Sequence, residues 1–92
     1  MSATAVASTT VKLVYLARLR EAFGSSGESL AVAAPATVAS LLATLRARGD
    51  PWARELAPGR AYRVAVNHAV ADGGLTLHDG DEVALLPPVT GG

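Results

Sequence analysis

One apolar stripe constrains this chain more than any other feature. Val38, Leu41, Leu42 and Leu45 fall at i, i+3, i+4 and i+7, the spacing of one face of an α-helix. Thr37 offers an N-cap hydroxyl, Arg46 and Arg48 put cations where the helix macrodipole favours them, and Gly49 fits the C′ position. Nothing else in the sequence has the length and periodicity to cover that stripe as a second helix. Its apolar face therefore has to lie on a sheet.

The strands of that sheet are read from alternation. Residues 11–17 are β-branched and aromatic enough for a first strand. Val11, Leu13, Tyr15 and Ala17 form one set; Lys12, Val14 and Leu16 form the other, which Lys12 marks as the less buried. Arg18, Arg20 and Glu21 read as the solvated end of this strand. Gly24-Ser25-Ser26-Gly27 is a turn cluster, and residues 29–33 alternate weakly, as an edge strand does. A short helical turn starts at Pro51, with Trp52 and Leu56 on one side, and Pro58-Gly59 breaks it. Residues 62–67 are a third strand. Val70 and residues 75–77 belong to short pieces around Asp72-Gly73-Gly74. Asp79-Gly80 is a turn, and Glu82–Leu86 is the last strand. The order predicts an α+β fold with one main helix packed on a mixed sheet. Residues 1–10 read as a flexible arm, 11–86 as the domain, and 87–92 as an extended tail.

Several classes of function drop out on composition. Ninety-two residues make one small domain, and a 50% hydrophobic composition argues against disorder. Eight basic residues balance eight acidic ones, so no nucleic acid is expected to bind through general electrostatics. The absence of cysteine removes disulfides, thiolate metal sites and a cysteine nucleophile. No run of about 20 apolar residues is present to cross a bilayer, and the first residues lack the pattern of a leader, so no membrane partner is expected and the cytoplasm is the default location. His68 and His78 stand without a third ligand, so no metal site is expected. Asp79, Asp81 and Glu82 lack the spacing of a calcium loop. Gly24-Ser25-Ser26-Gly27 is no phosphate loop, and the serines have no triad context. Nothing here makes a self-sufficient active site.

What remains is the final stretch, Pro87-Pro88-Val89-Thr90-Gly91-Gly92. No side chain in it is an acid, a base, a metal ligand or a strong nucleophile, and the reactive group it offers is the α-carboxylate of Gly92. Glycines without Cβ make a tip thin enough for a narrow channel, while Pro87 and Pro88 stiffen its base in an extended form. Taken alone, the same ending also fits an ordinary frayed terminus. Strand parity adds a surface beside it. Lys12, Arg63 and Glu82 mark outward-facing sets that also carry Val14, Leu16, Ala65, Ala84 and Leu86. If those strands adjoin, they form an apolar patch opposite the helix, next to the tail, where a partner could dock.

The run DGDEVALLPPVTGG resembles the C-terminus of the small subunit of molybdopterin synthase, the MoaD-type sulfur carriers of the ubiquitin-like β-grasp family. Val14-Tyr15-Leu16-Ala17-Arg18-Leu19-Arg20-Glu21 and Ala65-Val66-Asn67 fit the same family, so the resemblance spans residues 10–92. It implies a β-grasp fold. It implies that Gly92 is adenylated with ATP by an adenylyltransferase, converted to a C-terminal thiocarboxylate (1-thioglycine), and inserted into the large, catalytic subunit of molybdopterin synthase. There it would give its sulfur to cyclic pyranopterin monophosphate to build the molybdopterin dithiolene. On this reading the chain binds no cofactor and is no enzyme by itself; Pro87, Pro88, Val89, Thr90 and Gly91 thread the tail. A two-plus-two heterotetramer is implied by the family alone. Leu16 and Leu86 stand where the family often has aromatic residues, which keeps the apolar character and loses ring contacts. With Ala84, they are the expected docking residues, and Arg20 matches a position that meets an acidic residue of the activating enzyme. Carriers for thiamin thiazole, cysteine or tRNA thiolation, or a ubiquitin-like modifier, would share the fold and the Gly-Gly end; the Pro-Pro-Val-Thr segment argues against the other carriers.

Overall fold

The computed structural model describes residues 7–87. Within them the chain runs β1 (Ser8–Tyr15), α1 (Ala17–Phe23), β2 (Gly27–Ala33), β3 (Ala36–Thr37), α2 (Val38–Arg46), α3 (Trp52–Glu55), β4 (Arg63–Val66), β5 (Ala69–Val70), β6 (Thr76–Leu77) and β7 (Glu82–Leu86). Five strands form one sheet in the order β2-β1-β7-β4-β5, and β3 pairs with β6 as a separate ribbon. β1 and β7 run parallel at the centre, and every other pair is antiparallel. This is the mixed sheet that the stripe demanded, arranged as in a β-grasp domain.

α2 lies across one face. Its first turn is closed by a capping box in which Thr37 Oγ1 accepts from the Ser40 N–H at 3.1 Å and Ser40 Oγ accepts from the Thr37 N–H at 2.9 Å. Val38, Leu41, Leu42 and Leu45 are all buried, in one cluster with Val11, Leu13, Tyr15, Val64, Val66, Val83 and Leu85 from the sheet. Burial of each such side chain is worth roughly 1.5–3 kcal/mol, so the stripe alone holds helix to sheet. Ala47 caps the helix, so Gly49 stands one position beyond the expected C′, at a φ of 89°, its N–H donating to the Arg46 carbonyl.

Two expectations need correction. The flexible arm was expected to run to residue 10, yet β1 begins at Ser8, because β2 supplies a partner that far: Ser8, Thr9 and Thr10 pair with Ala33, Val32 and Ala31. Thr9 is buried there. Residues 1–6 lie outside the described residues. The second correction concerns Arg18, Arg20 and Glu21, which are no strand end but part of α1. Ala17 turns the chain at a φ of 51°, Leu19 goes fully into the core, and Gly24 closes the helix at a φ of 68°, donating to the carbonyls of Arg20 and Glu21. Phe23, four residues after Leu19, stacks on Trp52 with ring centroids 3.8 Å apart and meets Tyr15 edge-on at 5.0 Å. Packing on those two rings holds a helix of seven residues that propensity alone would not.

The same corner carries a polar clamp. Tyr15 Oη donates to Glu28 at 2.7 Å, and Arg48 grips that carboxylate with two hydrogen bonds of 2.8 and 2.9 Å. The Arg48 guanidinium also sits 4.6 Å from the Trp52 ring centre. Burial, and then the neighbouring Glu28 carboxylate, push the Tyr15 phenol well above its ordinary range.

Candidate functional site

The candidate site is the end of β7 and the sheet face around it. β7 is the one strand flanked by both β1 and β4, so its last residues are held from two sides. Tyr15 and Val64 both pair with Leu85, the Leu16 N–H donates to the Leu85 carbonyl, and Arg63 pairs with Leu86. Pro87, half-buried, then leaves the sheet with φ fixed and no N–H to continue a ladder. The start of β7 is tied as firmly. Asp79 Oδ1 accepts from the Thr10 N–H, while Asp81 accepts from Asn67 Nδ2 at 2.9 Å and from the His78 N–H at 2.8 Å. Those two hydrogen bonds, with Asn67 foremost, hold the Asp81 carboxyl below its ordinary range. The acidic turn is thus a structural clamp, and His68 and His78 are exposed turn residues. No group of three His, Cys, Asp or Glu side chains suited to a metal occurs among the described residues.

Register assembles the expected patch. Val14 pairs with Ala84, and Ala84 pairs with Ala65, so these three side chains form one line across β1, β7 and β4 on the face away from α2. Leu16 and Leu86 lie on the next line out; Leu16 is 41% exposed and Leu86 half-buried. Lys12 and Glu82 pair directly and edge the patch at its other end. One residue was missed. Val70 pairs with Ala65, extends the line onto β5, and is 71% exposed. The signal was present in Asn67-His68, whose φ values of 50° and 74° make the tight turn that folds β5 back beside β4. At the opposite end the line stops at Gly27, where a Cβ would lie 2.3 Å from the Leu13 carbonyl oxygen. Arg20 is exposed on α1, which follows β1 at the end of the sheet where β7 terminates. Pro88, Val89, Thr90, Gly91 and Gly92 lie outside the described residues.

Among the described residues, a closed core, an apolar sheet face with no helix over it and a strand that ends at Pro87 beside that face define the class of domain. That is the class of small ubiquitin-like β-grasp carriers. The comparison with family models is specific: residues 13–92 match the ThiS family, and the chain belongs to it. Among curated relatives, the molybdopterin synthase sulfur carrier subunit of Escherichia coli (strain K12) is 39% identical over 82 residues, 89% of this chain and 99% of that protein. Among solved structures, the complex of subunits 1 and 2 of the molybdopterin-converting factor from Helicobacter pylori 26695 contains a chain similar at a TM-score of 0.60 and 27% identity, over 91% of this chain and all of that one. The small archaeal modifier protein 1 of Methanosarcina acetivorans is similar at a TM-score of 0.72 and 25% identity, over 94% of this chain and 99% of that one.

Proposed function

We propose that this protein is the sulfur carrier subunit of a molybdopterin synthase, working in the cytoplasm and non-catalytic by itself. One observation carries the reading: β7, clamped on both sides, leads from an exposed apolar face straight to Pro87, in a chain whose family match continues through residue 92. A carboxylate is a poor electrophile, so the Gly92 carboxylate first displaces pyrophosphate from ATP on an adenylyltransferase, giving an acyl-adenylate. Hydrosulfide from the sulfur source then attacks the acyl carbon, AMP leaves as the C–O bond breaks, and loss of the S–H proton gives a thiocarboxylate, whose sulfur is more polarisable and more nucleophilic than the oxygen it replaced. Leu16, Val14, Ala84, Leu86 and Val70 dock on the large subunit, in a two-plus-two assembly, while Pro87 and Pro88 reduce the entropy lost when the tail enters. Arg20 meets the activating enzyme. The chain holds no cofactor in this scheme; ATP belongs to the enzyme that loads it.

The likeness to an archaeal modifier protein supports a second reading, in which the same activated Gly92 forms isopeptide bonds. Both readings are tested by incubating the chain with the activating enzyme, ATP and a sulfur source, and measuring intact mass. A thiocarboxylate on the wild-type chain, absent when the end is amidated or Gly92 is deleted, is the expected outcome. An amidated chain that still yields product with the large subunit would sink the carrier reading. Lysine-linked adducts in place of free thiocarboxylate would favour the modifier.

A further inference from the structure

The chain is neutral as a whole, yet its charges are sorted along β7. β1 runs parallel to β7 and β4 antiparallel, so the end of β1, the start of β4 and the end of β7 all meet at the tail's exit. Arg18 and Arg20 stand there on α1, Arg54 on α3, Arg60 just before β4, and Arg63 opposite Leu86. At the other end of β7 are Asp79, Asp81 and Glu82, against the single lysine Lys12, which pairs with Glu82. Acidic groups at the exit end are fewer: Glu21, Glu28, which Arg48 already neutralises with two hydrogen bonds, Asp50, which lies 3.9 Å from Arg54, and Glu55.

Glu55 explains how the cations are held. Its side chain is only 9% exposed, and its two oxygens accept from Arg18, from Arg60 at 3.2 Å and from Arg54 at 3.4 Å. Burial would push this carboxyl up, but the three guanidinium groups, Arg18 first, more than offset it and hold it below its ordinary range. The arginine side chains remain 47%, 58% and 45% exposed in the order Arg18, Arg54, Arg60. One buried carboxylate thus fixes three outward cations that it cannot neutralise.

We infer that the arginines gathered on Glu55, extended by Arg63, form a cationic collar around the tail's exit that recognises an acidic rim on the large subunit, at the mouth that receives the tail. The collar acts on encounter. Opposite charge across an interface chiefly raises the association rate, while the apolar face sets residence time. Because the negative pole lies at the far end of β7, the same field turns the tail toward the partner. This inference rests on the carrier reading for its partner.

The test is stopped-flow association with the large subunit of molybdopterin synthase from the same organism, at 50 and 300 mM salt. Wild-type association should slow as salt rises. Arg54→Gln with Arg60→Gln should associate about 3–10-fold more slowly at low salt, lose most of the salt dependence, and dissociate at an unchanged rate. Arg54→Lys with Arg60→Lys keeps the charge and should restore the rate, and Lys12→Gln, at the other end of β7, should slow it far less. Arg63→Gln, which touches nothing on Glu55, repeats the test should the double variant fold poorly. Association that is independent of salt, or equal in all variants while binding persists, overturns the collar and leaves the carrier reading standing. A wild-type chain that does not bind the large subunit at all overturns both.

Discussion

Leu85 and Leu86 are neighbours in one strand and differ in almost nothing but parity. Leu85 is fully buried against α2 and the inner faces of β1 and β4, whereas Leu86 lies half-exposed on the outer line with Leu16 and Arg63. The whole sheet repeats the contrast. Its inner face is lined by Leu13, Tyr15, Val64, Val66, Val83 and Leu85, all closed off by helices. Its outer face carries Val14, Ala65, Ala84 and Val70, small or exposed, with no helix among the described residues over them. A period of two lets one set of strands serve a core and the proposed docking surface without either constraining the other.

The sharpest way to break that contrast is to put a carboxylate on each side of the strand. Leu85→Asp buries an unpaired charge, at a cost of several kcal/mol or more, comparable with the roughly 5–15 kcal/mol of stability a domain has. It should fail to fold cooperatively, as followed by circular dichroism. Leu86→Asp should melt within a few degrees of wild type, yet bind the large subunit at least about tenfold more weakly. Equal destabilisation by both would show that the outer face is no free surface.

The outer face has one intolerant position. Gly27→Ala would drive a methyl into the Leu13 carbonyl, a backbone atom with no room to yield, so β2 has to shift away from β1. Overlap of this kind costs about 1–3 kcal/mol, to be read from denaturant unfolding. A neutral result would mean that the edge strand floats and that β1 is held chiefly by β7.

How much of this was legible in the sequence depends on what held each element. α2 and β7 were plain, because four leucine and valine positions at helical spacing and a charged-to-proline strand each carry their own periodicity. Outward parity followed from Lys12, Arg63 and Glu82, single charges that fix a whole set. α1 was hidden because Leu16 gives no side-chain cap and only Leu19 and Phe23 mark its face. Its stability comes from Tyr15 at the end of the preceding strand and from Trp52, far away in sequence. The Glu55 collar was hidden for the same reason, since Arg18 is 37 residues from its partner. Local patterns show periodic elements; they do not show pairs made by the fold.

Polar groups on the inner side should respond to pH where the apolar outer face cannot. Tyr15, raised from an ordinary 10.0 by burial and then by Glu28, favours the neutral phenol in the folded chain. Its contribution is complete below pH 10 and is lost as pH climbs toward the raised value. Glu28, lowered foremost by Arg48, behaves in the opposite sense, with stability present above its ordinary 4.5 and lost as pH falls below it. Melting temperature should therefore sag at both extremes. Tyr15→Phe should cost about 1 kcal/mol at pH 7 and remove the alkaline sag, while the acid side stays. An alkaline sag that survives Tyr15→Phe would place its origin elsewhere.

The smallest effect belongs to the outermost residue of the proposed docking line. Val70 is more than two-thirds exposed and sits on a two-residue strand at the edge of the sheet. Val70→Ser removes little that the fold uses, and substitutions at such sites usually change stability by no more than about 0.5 kcal/mol. Binding is a different matter, because the line Val14–Ala84–Ala65–Val70 is continuous and a hydroxyl at its end has to be desolvated when a partner covers it. The expected loss in affinity is about 2–5-fold, read by calorimetry with the large subunit and appearing in the dissociation rate. That partition separates the apolar line from the cationic collar, whose variants act on association. If Val70→Ser changes neither rate, the partner covers β1, β7 and β4 and stops short of β5. If it lowers stability as much as affinity, β5 belongs to the core side of the sheet and the contrast between the two faces ends at β4.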